Sequence, residues 1–190
     1  MTDKELKYNI TGKLKKIAKQ LAKNYTVKVG ILAEDNEPIS PDFDTAALGA
    51  LQEFGADIKI TKKMAAFLHL KAKELGLSES NKKGDGYVHI PARSWLYEPI
   101  VNGELLAYIK QYIGDSKLFE ELAQKEDYKK LANIIGEVCL LQIQKAFENS
   151  GINGEWDNNS PLTIAGKGSS KPLIDKGNLR KIINFEVEER

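Results

Sequence analysis

Apolar positions along the chain switch between two periods. Ile10, Leu14, Ile17, Leu21 and Tyr25 recur every three or four residues among lysines. That spacing predicts one face of an amphipathic helix. "TVKVGILA" then changes to a period of two, with Val27, Val29 and Ile31 on one side, and predicts a strand. "EDNEPISPDF" has two prolines and several acids and predicts a loop. "DTAALGALQEFG" predicts a helix, with Asp44 or Thr45 capping its start and Gly55 supplying the left-handed residue after its end.

"DIKIT" predicts a short strand. "KKMAAFLHLKAKELG" predicts a helix with Met64, Phe67, Leu68 and Leu75 facing inward. "SESNKKGDG" is a polar, glycine-rich connection. "YVHIP" returns as a strand with Val88 and Ile90 on one side, stopped by Pro91. Ile58 to Ile90 therefore forms two strands carrying an elaborated tip. Between Lys59 and Lys83 that tip holds seven lysines against two glutamates.

The second half is mainly helical. "RSWLYEPIVNGELLAYIKQYIG" predicts a helix on either side of Pro99 or Gly103. The longest periodic run spans Asp127 to Asn149, with Leu131, Ile135, Val138, Leu141 or Gln142, and Ala146 on one face. "GINGEWDNNSPLTIAGKGSSKPLID" lacks periodicity and predicts an extended loop, a kind that is usually functional or pinned by a partner. Asp175 is expected to cap the turn "KGNLRK", and "IINFEVE" alternates into a final strand. The order predicts an α+β fold: a small, mainly antiparallel sheet packed on an N-terminal helix and a long helix of the C-terminal half. We expect one domain over 1–190, with a basic tip at 59–86 and an interaction loop at 151–174.

Composition narrows the functional classes. Apolar residues make up 42% of the 190 and charged residues 29%, with net charge +1. A globular chain of this size buries roughly two thirds of its unfolded surface and needs no staples. No stretch approaches the ~20 apolar residues of a membrane span, and the start of the chain shows no apolar signal core. Cys139 is the single cysteine, so no internal disulfide exists, as suits a reducing compartment. In that context "NIT", "NYT" and "NNS" carry no glycosylation meaning.

Catalytic chemistry finds no footing in the pattern. "TIAGKGSSKPLIDKGNLRK" looks like a phosphate-binding loop, but that motif needs Gly, four residues, then Gly-Lys-Ser/Thr. Gly166 and Gly168 instead flank Lys167, and Lys171 precedes Pro172. His69 and His89 belong to no metal-ligand spacing, so no metal or cofactor is expected. Cys139 lies within a helix with no assignable base, and Glu120–Glu121 and Glu188–Glu189 fall on exposed faces. Trp95 is assigned to the core. Trp156, in a polar loop, is assigned to an interface. The lysine-rich tip is either a solvated surface or a contact with nucleic acid or an acidic protein face. Phe67 is its one interleaved aromatic, so base stacking is not expected.

Three stretches together carry a family resemblance: "VKVGILA" with "AALGALQEFGA", then "VHIPARSWLYEPI", then "WDNNSPLTIAGKGSSKPLIDKGNLRKIINFEV". In this order, from about Val27 to Val187, they resemble the phage virion morphogenesis family. Its members are tail-completion and head-tail joining proteins of tailed bacteriophages and prophages. This chain has Ser94-Trp95 where the family usually has Pro-Phe, and Lys176 where it often has Thr.

The resemblance implies a non-enzymatic neck protein that forms a ring of six around the DNA channel. Its partners would be copies of itself, connector or adaptor proteins and tail proteins. It would reside in the virion, and in the host cytoplasm during assembly. The expected interface residues are Lys62, Lys63, Lys82 and Lys83 on the tip, with Trp156, Lys167 and Lys171 on the loop. Arg93 is expected to anchor the base of the tip on a carboxylate or loop carbonyl, or else to be a plain surface arginine. A tail terminator or minor tail protein, a nucleic-acid-binding module built on the lysine tip, and a hydrolase with an unrecognised site are the competing readings.

Overall fold

The computed structural model describes residues 15–77, 86–103, 107, 109, 125, 127–175 and 177–190. The fold is α+β, with seven helices and three small antiparallel sheets among the described residues. Residues 15–24 form helix α1. Strand β1 (Tyr25–Ile31) follows at once, so Tyr25 opens a strand where the spacing predicted the end of a helix face. Ile10 and Leu14 of that face lie outside the described residues.

β1 pairs with the last strand, β6 (Ile183–Glu189), and Val27, Val29 and Ile31 face Val187, Phe185 and Ile183. The alternation predicted both strands. Lys28 sits opposite Glu186, with its ammonium 2.9 Å from that carboxylate and also paired with Glu188.

The stretch expected to be loop after β1 is partly ordered. A 3-10 turn (Ala33–Asp35) leads into a small hairpin of β2 (Pro38–Ser40) and β3 (Phe43–Asp44). The hairpin survives because Asn36 gathers it. The Asn36 amide N–H donates to Asp44 at 3.0 Å, and its carbonyl accepts from the Thr45 hydroxyl at 3.0 Å and the Ala46 N–H at 2.9 Å. Asp44, the first of the two cap candidates, accepts the Ala47 N–H at 2.7 Å and starts helix α2 (Thr45–Phe54). Gly55 ends that helix at φ +69°.

β4 (Ala56–Lys59) and β5 (Tyr87–Ile90) form the predicted stem, paired from Ala56–Ile90 to Lys59–Tyr87. Helix α3 (Lys62–Glu74) rises from the stem, capped by Thr61. Its predicted inward face is corrected here. No α3 residue is buried, and Phe67 points to solvent, 59% exposed. Met64, Leu68 and Leu75 are half-buried.

Helix α4 (Tyr97–Val101) contains Pro99 in its first turn, where a missing N–H costs nothing. A continuation after Gly103 lies, apart from two positions, outside the described residues. The long helix α5 (Tyr128–Asn149) is capped by Asp127, whose carboxylate accepts the Lys130 N–H at 3.2 Å. α5 buries more than the predicted stripe, because the β1–β6 ribbon covers one flank and α4 covers another. Of the two alternatives on that face, Gln142 is buried and Leu141 is 41% exposed. At the start of α5, Leu131 packs on Ile17 and Leu21 of α1.

Phe147 is fully buried at the other end of α5, between two indoles. Trp95 tilts against it at 6.2 Å, and Trp156 meets it edge-on at 5.7 Å and 88°. Ile143, Ala146, Leu179 and Ile183 complete this core. Trp95 is therefore in the core as expected. Trp156 is corrected from an interface to a core residue, 6% exposed.

Candidate functional site

The segments singled out by sequence meet around an open cleft of about 690 Å3. α2 contributes Leu48 and Gln52, and the stem contributes Val88, His89 and Ile90. The opposite wall is the 151–174 segment, including Asn158, Ser160, Thr163 and Lys167. The cleft thus lies where the base of the tip meets the loop, and Arg93 stands between them.

That loop has structure of its own. Ser150 takes a left-handed conformation at φ +61° and ends α5. The Glu155 carboxylate then accepts the N–H groups of Ile152 at 2.9 Å and Asn153 at 2.7 Å. Burial alone would push the Glu155 pKa up, but backbone N–H donors from Asn153, Glu155 itself and Ile152 leave it lowered. The turn they stabilise brings the Trp156 N–H back to the Ser150 carbonyl at 2.9 Å and its indole onto Phe147.

Helix α6 (Pro161–Lys167) corrects the expectation of an extended loop. Ser160 caps it, Pro161 opens it, and Gly168 closes it at φ +70°. The signal was present as Ser-Pro before and Gly after a seven-residue run. It was obscured because the run carries no apolar periodicity. Gly166 and Lys167 therefore end a helix, where backbone carbonyls and not N–H groups are exposed, the wrong polarity for an anion. Helix α7 (Asn178–Lys181) starts at Gly177 without a side-chain cap, so Asp175 does not take the expected capping role.

The cations of the site donate to carbonyl oxygens of the chain. Arg93 is 6% exposed. Its Nε donates to the Asp157 carbonyl at 3.0 Å and its Nη2 to the Asn158 carbonyl at 3.4 Å. Of the alternatives open from sequence, the loop-carbonyl anchor is the observed one. Burial pushes the Arg93 pKa down, and the nearby Asp157 carboxylate partly opposes this. Lys167 donates to the carbonyls of Lys171 at 2.5 Å and Ile174 at 3.0 Å. Its pKa is lowered, first by burial, with Asp175 raising it and Arg93 lowering it. Lys171 reaches the Glu148 carbonyl at 3.4 Å, which pins the end of the loop to α5. Lys62 and Lys63 lie on exposed α3 positions. Lys82 and Lys83 lie outside the described residues.

Sequence reasoning missed Glu53. This residue is 7% exposed, and its carboxylate accepts the Trp95 N–H at 2.7 Å, the Leu96 N–H at 2.9 Å and the Tyr97 N–H at 3.1 Å, together with the Ser94 hydroxyl. It therefore serves as the shared acceptor at the start of α4, supplied from another helix. One residue earlier, the Gln52 carbonyl accepts the Arg93 N–H at 2.8 Å. Arg93 is thus fixed at its backbone by α2 and at its side chain by the loop.

The arrangement ties separate segments of the chain to one another. Cys139 is buried on α5, and burial raises its pKa. His89 pairs through Nδ1 with Asp57 at 2.6 Å on the exposed stem. Among the described residues no group of three His, Cys, Asp or Glu side chains could hold a metal ion. Among the same residues no helix is long and apolar enough to cross a membrane. In comparisons with known proteins, no family model, no curated protein and no solved structure matches this chain.

Proposed function

We propose that the chain is a structural protein of the bacteriophage virion, placed at the head–tail connection as a tail-completion or neck component. Copies would form a ring, a hexamer in the resemblance, that joins the DNA-filled head to the tail and leaves a channel for DNA. Connector or adaptor proteins would lie on one side and tail proteins on the other.

One observation carries this reading. The three stretches that bear the family resemblance build a single frame. The first and third pair as β1 and β6. The second is held to the first by Glu53 and clasps the third through Arg93. The ordered motifs are therefore the joints of one scaffold, which is what a shared architecture requires. The side chains at these joints fix backbone segments in place, a property suited to a rigid subunit of an assembly. Outside the frame, the stem carries a helix with no fully buried residue.

The test is made on particles. A tagged copy located by imaging in intact virions should mark the junction of head and tail. Assembly without this chain should accumulate filled heads and separate tails. Joined, infective particles formed at normal yield in its absence would overturn the reading. A label at the far tail end would move the protein to a minor tail role.

A further inference from the structure

Helix α3 presents an apolar stripe that its own fold leaves uncovered. Lys63, Phe67, Leu70 and Glu74 follow one another at intervals of four, three and four, so they line one face. Phe67 is 59% exposed and Leu70 is 64% exposed. A helix of 13 residues is marginal by itself, because helices of about 12–15 residues draw most of their stability from tertiary packing. Lys62, Lys63 and Lys73 flank the stripe and enter no ion pair among the described residues, whereas Lys71 pairs with Glu74 at 2.7 Å.

Charge selects the occupant. The segment Ala33 to Asp44 holds five carboxylates and neither lysine nor arginine. Asp44 is spent on capping α2. Glu34, Glu37 and Asp42 are exposed and enter no ion pair among the described residues. Ile39, in strand β2 of this hairpin, is 52% exposed. One molecule therefore carries a basic surface with an apolar centre and an acidic surface with an apolar centre.

We propose that copies of this chain associate head to tail through these two surfaces. Phe67 and Leu70 of one copy pack on Ile39 of the next, and the lysines of α3 face Glu34, Glu37 and Asp42. The contact uses two different patches, so repeating it closes a ring or extends a filament. The apolar centre supplies the desolvated contact, and the charged rim steers and orders it. A nucleic-acid ligand would satisfy the lysines but would leave Phe67 and Leu70 uncovered. The inference rests on the reading that copies assemble side by side, and it names the surfaces they use.

The experiment uses two charge-reversed proteins. One is Lys62→Glu/Lys63→Glu/Lys73→Glu and the other is Glu34→Lys/Glu37→Lys/Asp42→Lys. All six positions are exposed, and circular dichroism checks that each variant is folded. Sedimentation at low salt should show association of the native chain and a loss of about tenfold or more in each variant alone. Mixing the two variants should restore association, because each then offers the surface the other lacks. Phe67→Ser/Leu70→Ser should abolish association without unfolding the protein.

A native chain that stays monomeric at every concentration overturns the proposal. So do variants that assemble like the native chain, and a mixture that fails to recover. Loss of duplex-DNA binding in the lysine variant with unchanged mass would assign α3 to nucleic acid. Oligomers that survive every substitution sink these surfaces but leave the virion role standing, whereas joined particles formed without the chain sink that role alone.

Discussion

Glu53 and Trp95 lie 42 positions apart in sequence, yet the Glu53 carboxylate accepts the Trp95 backbone N–H at 2.7 Å in the protein interior. The same carboxylate takes two further N–H groups and the Ser94 hydroxyl. It thereby fixes the entry into α4 and sets Trp95 against Phe147. Glu53→Ala should leave these donors buried and unmatched and cost at least about 3 kcal/mol, since each orphaned donor costs on the order of 1–3 kcal/mol. Glu53→Gln keeps one acceptor oxygen and should lose less. Urea unfolding measures both, and a Glu53→Ala protein as stable as the native chain would exclude a joint at this position.

Arg93 is the second joint. Arg93→Ala should release the segment after Trp156 from the stem while leaving the β1–β6 ribbon paired. Arg93→Lys keeps the charge but loses the fork that reaches two carbonyls, so it should behave much like Ala. Limited proteolysis with mass analysis should find new cuts between Asp157 and Lys171, about tenfold faster than in the native chain. An unchanged cleavage map would show that Lys167 and Lys171 alone hold the loop.

Periodic segments were legible in the sequence and their partners were not. The alternation of Val27, Val29 and Ile31 predicts a strand, but pairing with β6 is a contact between the two ends of the described chain. Asp44 and Gly55 marked α2 because a cap and a left-handed stop are local requirements. Trp156 was misplaced because its neighbours are polar. Its burial depends on the turn that Glu155 ties, a backbone event that hydrophobic period does not report. Phe67 was misplaced for the opposite reason, since its spacing promised a core that α3 does not have. Glu53 gave no signal, because a glutamate on a helix is ordinarily solvated and its partners lie in another segment.

Two carboxylates with lowered pKa values should contribute to the acid sensitivity of the fold. Asp44 is held below its ordinary value of 3.8, first by the Ala47 N–H and then by Asn36. Glu155 is held below its ordinary 4.5, with the backbone donors of its turn outweighing burial. The folded protein binds these protons less tightly than the unfolded chain. Their stabilisation is therefore complete above the ordinary carboxylate range, and it is lost as pH falls through that range toward the lower folded values. The urea midpoint should hold near about pH 7 and decline below about pH 5. Asp44→Asn should flatten the lowest part of that decline. Superimposable native and Asp44→Asn profiles would show that the capping carboxylate does not contribute to the acid limit.

At Gly136 the long helix lies directly against the Phe185 side chain of the last strand. A Cβ at this position would stand 2.1 Å from the ring of Phe185, far inside van der Waals contact. Intrinsic propensity favours Gly136→Ala, because alanine gains about 1 kcal/mol over glycine within a helix. The contact opposes it. The Phe185 Cγ would itself lie 2.7 Å from the added Cβ, so turning the ring about its own axis does not relieve the clash and the whole side chain must move. Overpacking of this kind costs about 1–3 kcal/mol or more and should outweigh the helical gain. Gly136→Ala should therefore unfold at lower denaturant, and adding Phe185→Leu should recover part of the loss by opening the space. If Gly136→Ala is instead the more stable protein, the ribbon does not lie against α5 as closely as the structure has it, and the scaffold beneath the Glu53 and Arg93 joints must be redrawn.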